Sequence, residues 1–68
     1  MIKNKLSEIM GRKRINIAEL ARLTGLSRIT ITGIYKNTSK QVALETLNKI
    51  CWALDCNVQD IFEYEQEK

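Results

Sequence analysis

Five times along this chain, apolar residues return every three or four positions, the interval that gathers side chains on one face of an α-helix. Ile2, Leu6, Ile9 and Met10 form the first stripe, which Gly11 and the basic run Arg12-Lys13-Arg14 close. The second segment opens at Asn16 with Glu19 three residues on. At that spacing the first side chain accepts from a free backbone N–H and the acid reaches back. Ile15 and Leu20 flank the cap as a hydrophobic staple; Leu20, Ala21, Ile17 and Thr24 face inward. Gly25 ends the helix, because a left-handed residue there is cheap only for glycine. Ser27 caps the third helix, Leu26 and Ile31 stand at staple positions, and Ile31, Ile34 and Tyr35 point inward. Leu44, Leu47, Ile50, Cys51 and Leu54 make the fourth stripe. Asn57 caps a short fifth helix, with Asp60 at its third position and Ile61 and Phe62 inward.

The absence of proline and the presence of only three glycines in 68 residues favour the same outcome. The spacing therefore predicts an all-α chain of five helices, one domain over residues 1–68, near the lower size limit for a single core. Its one long loop is the polar stretch "KNTSKQVA". The two ends leave a choice. "IKNKL" and "FEYE" both alternate, so the termini either pair as two antiparallel strands with Lys3 and Lys5 facing Glu63 and Glu65, or extend the first helix and fray.

Charge is uneven. Residues 1–40 carry nine Lys/Arg against Glu8 and Glu19, a balance of +7, and residues 41–68 carry −4. A basic half beside an acidic half suits one face meeting a polyanion. No apolar run nears the ~20 residues that span a bilayer, and the N-terminus lacks a signal-peptide pattern, so the expected address is cytoplasmic. Histidine is absent, and Cys51 and Cys56 cannot by themselves complete a structural zinc site, so no metal is expected. In a reducing compartment the two read as small apolar residues. With no phosphate-cradling glycine loop and no nucleophile beside a base, the chain is not expected to be an enzyme, nor to hold a cofactor or small-molecule ligand.

One surface is left over. On the third helix, Arg28, Ile29, Thr32, Gly33 and Lys36 fall together, roughly opposite the inward face. Two helices joined at Gly25, with the second projecting its N-terminal residues, form the arrangement in which a recognition helix enters the DNA major groove. Here the sequence resembles the phage-repressor and Cro-type helix-turn-helix DNA-binding domains, through Ala21, Gly25, Leu26, Ile31 and Ile34 and the run "AELARLTGLS". "LETLNKICWALDCNVQDIF" is similar to the last two helices of that family. The resemblance covers about Lys5 to Phe62 and implies a compact five-helix lambda-repressor-like bundle with its helix-turn-helix at about residues 16–37.

What the resemblance implies for the site is specific. Ser27, Arg28, Ile29, Thr32, Gly33 and Lys36 form the base-reading face, on a recognition helix of about residues 27–37. Arg28 is suited to bidentate pairing with guanine O6 and N7, and Ile29 or the Thr32 methyl to a thymine methyl. Asn16, Ile17, Thr30, Asn37, Thr38, Ser39 and Lys40 are expected at phosphate, with Arg12, Lys13 and Arg14 adding charge nearby. The family often has a polar residue where Ile17 and Ile29 stand, and Gly33 removes a side chain from mid-face. Arg28 thus carries most of the sequence reading. Modest specificity from one unit points to a homodimer on DNA, with Trp52, Phe62 and Tyr64 as interface residues or, equally, as aromatics closing the core. The expected partner is double-stranded DNA and the expected role a small bacterial or phage transcriptional regulator, a repressor. The alternative is a protein-interaction module of the same fold, such as an antitoxin or a regulator docking on another protein.

Overall fold

The structure, a computed structural model, describes residues 1–38 and 40–66. Five helices follow one another: α1 (Leu6–Lys13), α2 (Ile17–Thr24), α3 (Arg28–Tyr35), α4 (Leu44–Leu54) and α5 (Val58–Ile61). Strands β1 (Ile2–Asn4) and β2 (Phe62–Tyr64) frame them. Helices of four to eleven residues are too short to persist alone in water, so packing must hold them. Each gives its apolar stripe to one core: Leu6, Ile9 and Met10 from α1, Leu20 from α2, Ile31 and Ile34 from α3, Ile50 and Leu54 from α4, and Ile61 from α5. α1 packs on α3, α4 and α5, and α2 packs on α3 and α4. The five helices expected from the spacing, and the bundle that the resemblance implies, are the fold.

The chain ends pair. β1 runs antiparallel to β2, with Ile2 opposite Tyr64, Lys3 opposite Glu63 and Asn4 opposite Phe62. The charges meet on the diagonal: Lys5 Nζ lies 3.2 Å from a Glu63 oxygen and Lys3 Nζ 3.8 Å from a Glu65 oxygen. Ile2, expected to begin the first helical stripe, instead lies in β1 and is exposed. The Lys5 N–H donates to the Ile61 carbonyl at 2.6 Å and draws the first residues into the sheet. The Asn4 side-chain oxygen then accepts the Leu6 N–H at 3.0 Å, an Asx-type turn that starts α1.

Gly11 does not end α1. The helix continues to Lys13 and stops at Arg14, in the left-handed region at φ 57°. Ile15 N–H bonds the Met10 carbonyl and Arg14 N–H the Gly11 carbonyl, the paired bonds of a Schellman turn. Its usual apolar contact explains the shift: the turn folds Ile15 back toward Met10 and onto the core. The same turn closes α3 at Asn37 (φ 59°), through Thr38 N–H to Gly33 O and Asn37 N–H to Ile34 O. It closes α4 at Asp55 (φ 50°), through Cys56 N–H to Cys51 O and Asp55 N–H to Trp52 O. Cys51 and Cys56 therefore occupy the apolar contact positions of a helix end, both partly buried against the core. Burial pushes the Cys56 thiol up to about 11, helped by Cys51 and Asp60.

Two further stripe residues, besides Ile2, face water. Leu44 is 82% exposed. As the first residue of α4 its side chain leans back past the helix start, where no earlier turn lies beneath it. Tyr35, the last residue of α3, is exposed at the margin of the core. Trp52 is 73% exposed and Tyr64 67%, so neither closes the core; Phe62 is partly buried against it.

Candidate nucleic-acid interface

The turn between α2 and α3 is built by local hydrogen bonds. At the start of α2 the Asn16 Oδ1 accepts the Glu19 N–H at 2.8 Å. At its end Gly25, at φ 75°, returns its N–H to the Ala21 carbonyl at 2.9 Å. The Thr24 hydroxyl donates to the Leu20 carbonyl at 2.7 Å and accepts the Leu26 N–H at 3.2 Å. The Ser27 Oγ accepts the Thr30 N–H at 3.1 Å and starts α3. With Leu26 packed on the core and Ile31 and Ile34 buried behind it, α3 has one direction open to it.

That packing turns the leftover face outward. Arg28, Ile29 and Lys36 are exposed, Ile29 by 85%. Thr32 and Gly33 are half-buried between them, so the face is lowest at its middle. Such a shape lets a helix lie close to a groove floor. Ser27 is exposed at the helix start, where unpaired backbone N–H groups and the positive end of the helix dipole favour an anion.

The residues expected at phosphate fall at the two ends of the helix-turn-helix. Asn16 is exposed, but its oxygen is occupied by the cap, leaving its amide NH2 to donate. The Ile17 side chain packs on the core, so only its backbone N–H at the first helical position is available to an anion. The Thr30 hydroxyl shares a 2.9 Å hydrogen bond with Ser27. Asn37, Thr38 and Lys40 are exposed beyond the end of α3, with the Thr38 hydroxyl 3.3 Å from the Gly33 carbonyl to which it donates. Ser39 lies outside the described residues.

Cations divide by location. Lys3, Lys5 and Lys49 each have an acid within ion-pair distance. Among the described residues, Arg12, Arg14, Arg22, Arg28, Lys36 and Lys40 are exposed and have no acidic side chain that close. Positive charge is thus left unneutralised around α2, α3 and the loop that follows, which is the condition for drawing in a polyanion.

Sequence reasoning missed Asn4. Its side-chain amide donates to the Ile34 carbonyl at 2.7 Å and lies 3.4 Å from the Asn37 Oδ1, joining β1 to the end of α3. A partner thirty positions away has no local signal. Only the asparagine itself, a residue depleted in strands, hinted that its side chain had work.

A helix-turn-helix with an exposed, positively flanked second helix on a five-helix core defines a DNA-binding domain. Residues 5–67 match the Cro/C1-type HTH DNA-binding domain, and the chain belongs to that family. It is similar to the SPbeta prophage-derived uncharacterized HTH-type transcriptional regulator YopS of Bacillus subtilis, 30% identical over 63 residues, which cover 93% of this chain and 85% of that protein. It is also similar to the uncharacterized HTH-type transcriptional regulator YozG of the same organism, 27% identical over 60 residues, 88% of this chain and 71% of that protein. No helix of the described residues is long and apolar enough to cross a membrane.

Proposed function

We propose that this chain is a small transcriptional regulator that binds double-stranded DNA sequence-specifically and represses by occupying an operator. α3 enters the major groove and α2 lies across the phosphate backbone. The observation that carries this is the α3 face: Arg28 and Ile29 project into solvent from a helix locked behind by Ile31 and Ile34, on a turn with its hydrogen bonds satisfied. Ser27, Arg28, Ile29, Thr32, Gly33 and Lys36 read the bases, with Arg28 the principal reader. Asn16, the Ile17 amide, Thr30, Asn37, Thr38, Ser39 and Lys40 hold phosphate. The names of both relatives support a regulatory role.

Two copies bind neighbouring half-sites, about one helical turn of DNA apart. Exposed Ile2, Leu44 and Val58 support pairing: Leu44 and Val58 line one surface groove, Ile2 and Val58 line another, and contiguous apolar surface marks a contact site.

The test is fluorescence anisotropy of the protein on duplex from upstream of its own coding region, beside a scrambled duplex, from about 50 to about 200 mM salt. Arg28→Ala should cost about 1–3 kcal/mol and relax preference at one base pair. Equal, steeply salt-weakened binding of both duplexes by the unaltered protein would mean phosphate attraction only and refute an operator upstream of its own coding region. It would favour the protein-interaction reading, in which the same fold holds a protein partner.

A further inference from the structure

The end of α3 is where the base-reading helix gives way to the phosphate-holding loop, and its geometry does not rest on α3 alone. Its closing turn places Asn37 in the left-handed region and uses the carbonyls of Gly33 and Ile34 as acceptors for Thr38 and Asn37. The Ile34 carbonyl accepts a second, shorter bond from the Asn4 side-chain amide at 2.7 Å. The same amide group faces the Asn37 side-chain oxygen at 3.4 Å, while its own oxygen accepts the Leu6 N–H. Asn4 is itself held by its neighbours in the terminal sheet, where it pairs with Phe62 and is followed by the Lys5–Ile61 bond. One side chain therefore ties three things together: the start of α1, the last turn of α3, and the left-handed residue after it.

We propose that Asn4 is a positioning residue for DNA binding. It fixes the turn at Lys36–Thr38 so that Asn37 and Thr38 meet phosphate in register with the bases that Arg28 and Lys36 read. Asparagine suits this position because it offers a donor and an acceptor at once. The Ile34 carbonyl can only accept, so no side chain lacking an N–H or O–H of that reach can replace it. Without the tie, these residues must be ordered when DNA arrives, and that ordering subtracts from affinity. The inference rests on the DNA-binding reading above and adds the residue that holds its phosphate-side geometry.

Three uncharged variants test it. Asn4→Ser keeps an oxygen for the Leu6 N–H but is too short to reach Ile34. Asn4→Ala removes both bonds. Asn57→Ala weakens the capping box of α5 and serves as a destabilised control that leaves α3 alone. Amide hydrogen exchange and duplex anisotropy are measured well below each variant's melting temperature. In Asn4→Ser and Asn4→Ala the Asn37 and Thr38 amides should exchange faster. Duplex affinity should fall several-fold with the slope of log K against log salt unchanged, because the tie orders neutral residues and its loss removes no cation from the interface. Asn57→Ala should lower the melting temperature and leave affinity and slope unchanged. Unaltered affinity in Asn4→Ser, with the parent protein binding duplex normally, would overturn the positioning role and leave the DNA-binding reading intact. A parent protein without affinity for duplex would overturn both.

Discussion

Gly11→Ala and Gly25→Ala are the same chemical change at sites with the same free space, and they should move stability in opposite directions. At both positions an added Cβ would meet no atom within 4 Å. Steric collision therefore contributes nothing at either, and backbone conformation alone sets the sign. Gly11 lies within α1, on its exposed side, where alanine gains about 0.5–1 kcal/mol over glycine through the smaller entropy it loses on folding. Gly25 sits at φ 75°, where an L residue costs about 1–2 kcal/mol. The stiffer unfolded chain returns about 0.4–1 kcal/mol of that, leaving a net loss near 1 kcal/mol. At about 4–8 °C per kcal/mol for a domain of this size, Gly11→Ala should melt several degrees higher and Gly25→Ala several degrees lower than the parent. Thermal and urea unfolding followed by circular dichroism would resolve the pair. Shifts of the same sign would refute the assignment of Gly11 to a helix interior and Gly25 to a left-handed cap. So would a loss at Gly25 beyond about 3 kcal/mol, because it would require a collision.

Leu20→Ala, at a fully buried site shared by α2, α3 and α4, should cost about 2–5 kcal/mol, enough to leave much of so small a domain unfolded at room temperature by urea titration. The Cys56 thiol, raised from 9.0 to about 11 on folding, sets a pH window of its own. Below pH 9 both states keep the proton and stability is unaffected. Between pH 9 and 11 the unfolded chain loses the proton first, so stability should fall as pH rises. Cys56→Ser should flatten that part of the decline in urea midpoints taken across the range; an unchanged profile would count against the burial.

Much of the site was legible because its chemistry is local. Asn16 with Glu19, Gly25, and Ser27 ahead of Thr30 each satisfy backbone groups within four residues, so type and spacing sufficed to locate the turn and both helix starts. The periodicity of Ile31 and Ile34 then determined which side of α3 is left over. It mispositioned Tyr35 and Leu44, because spacing describes a face and not where the core beneath it stops. It also gave Gly11 the helix end, since glycine is the usual left-handed residue. Arg14, Asn37 and Asp55 take that conformation instead, and the following residues of α1 and α4, Ile15 and Cys56, are brought by it onto the core.

By itself the sequence determined the five helices, the caps at Asn16, Gly25, Ser27 and Asn57 and the outward face of α3, all consequences of interactions a few residues apart. Tertiary structure decided the pairing of the two chain ends, the diagonal match of Lys3 and Lys5 with Glu65 and Glu63, and the tie from Asn4 to Ile34. Those contacts join residues from thirty to sixty-two positions apart. A choice of partner at that range exists only after the core has brought the partners together.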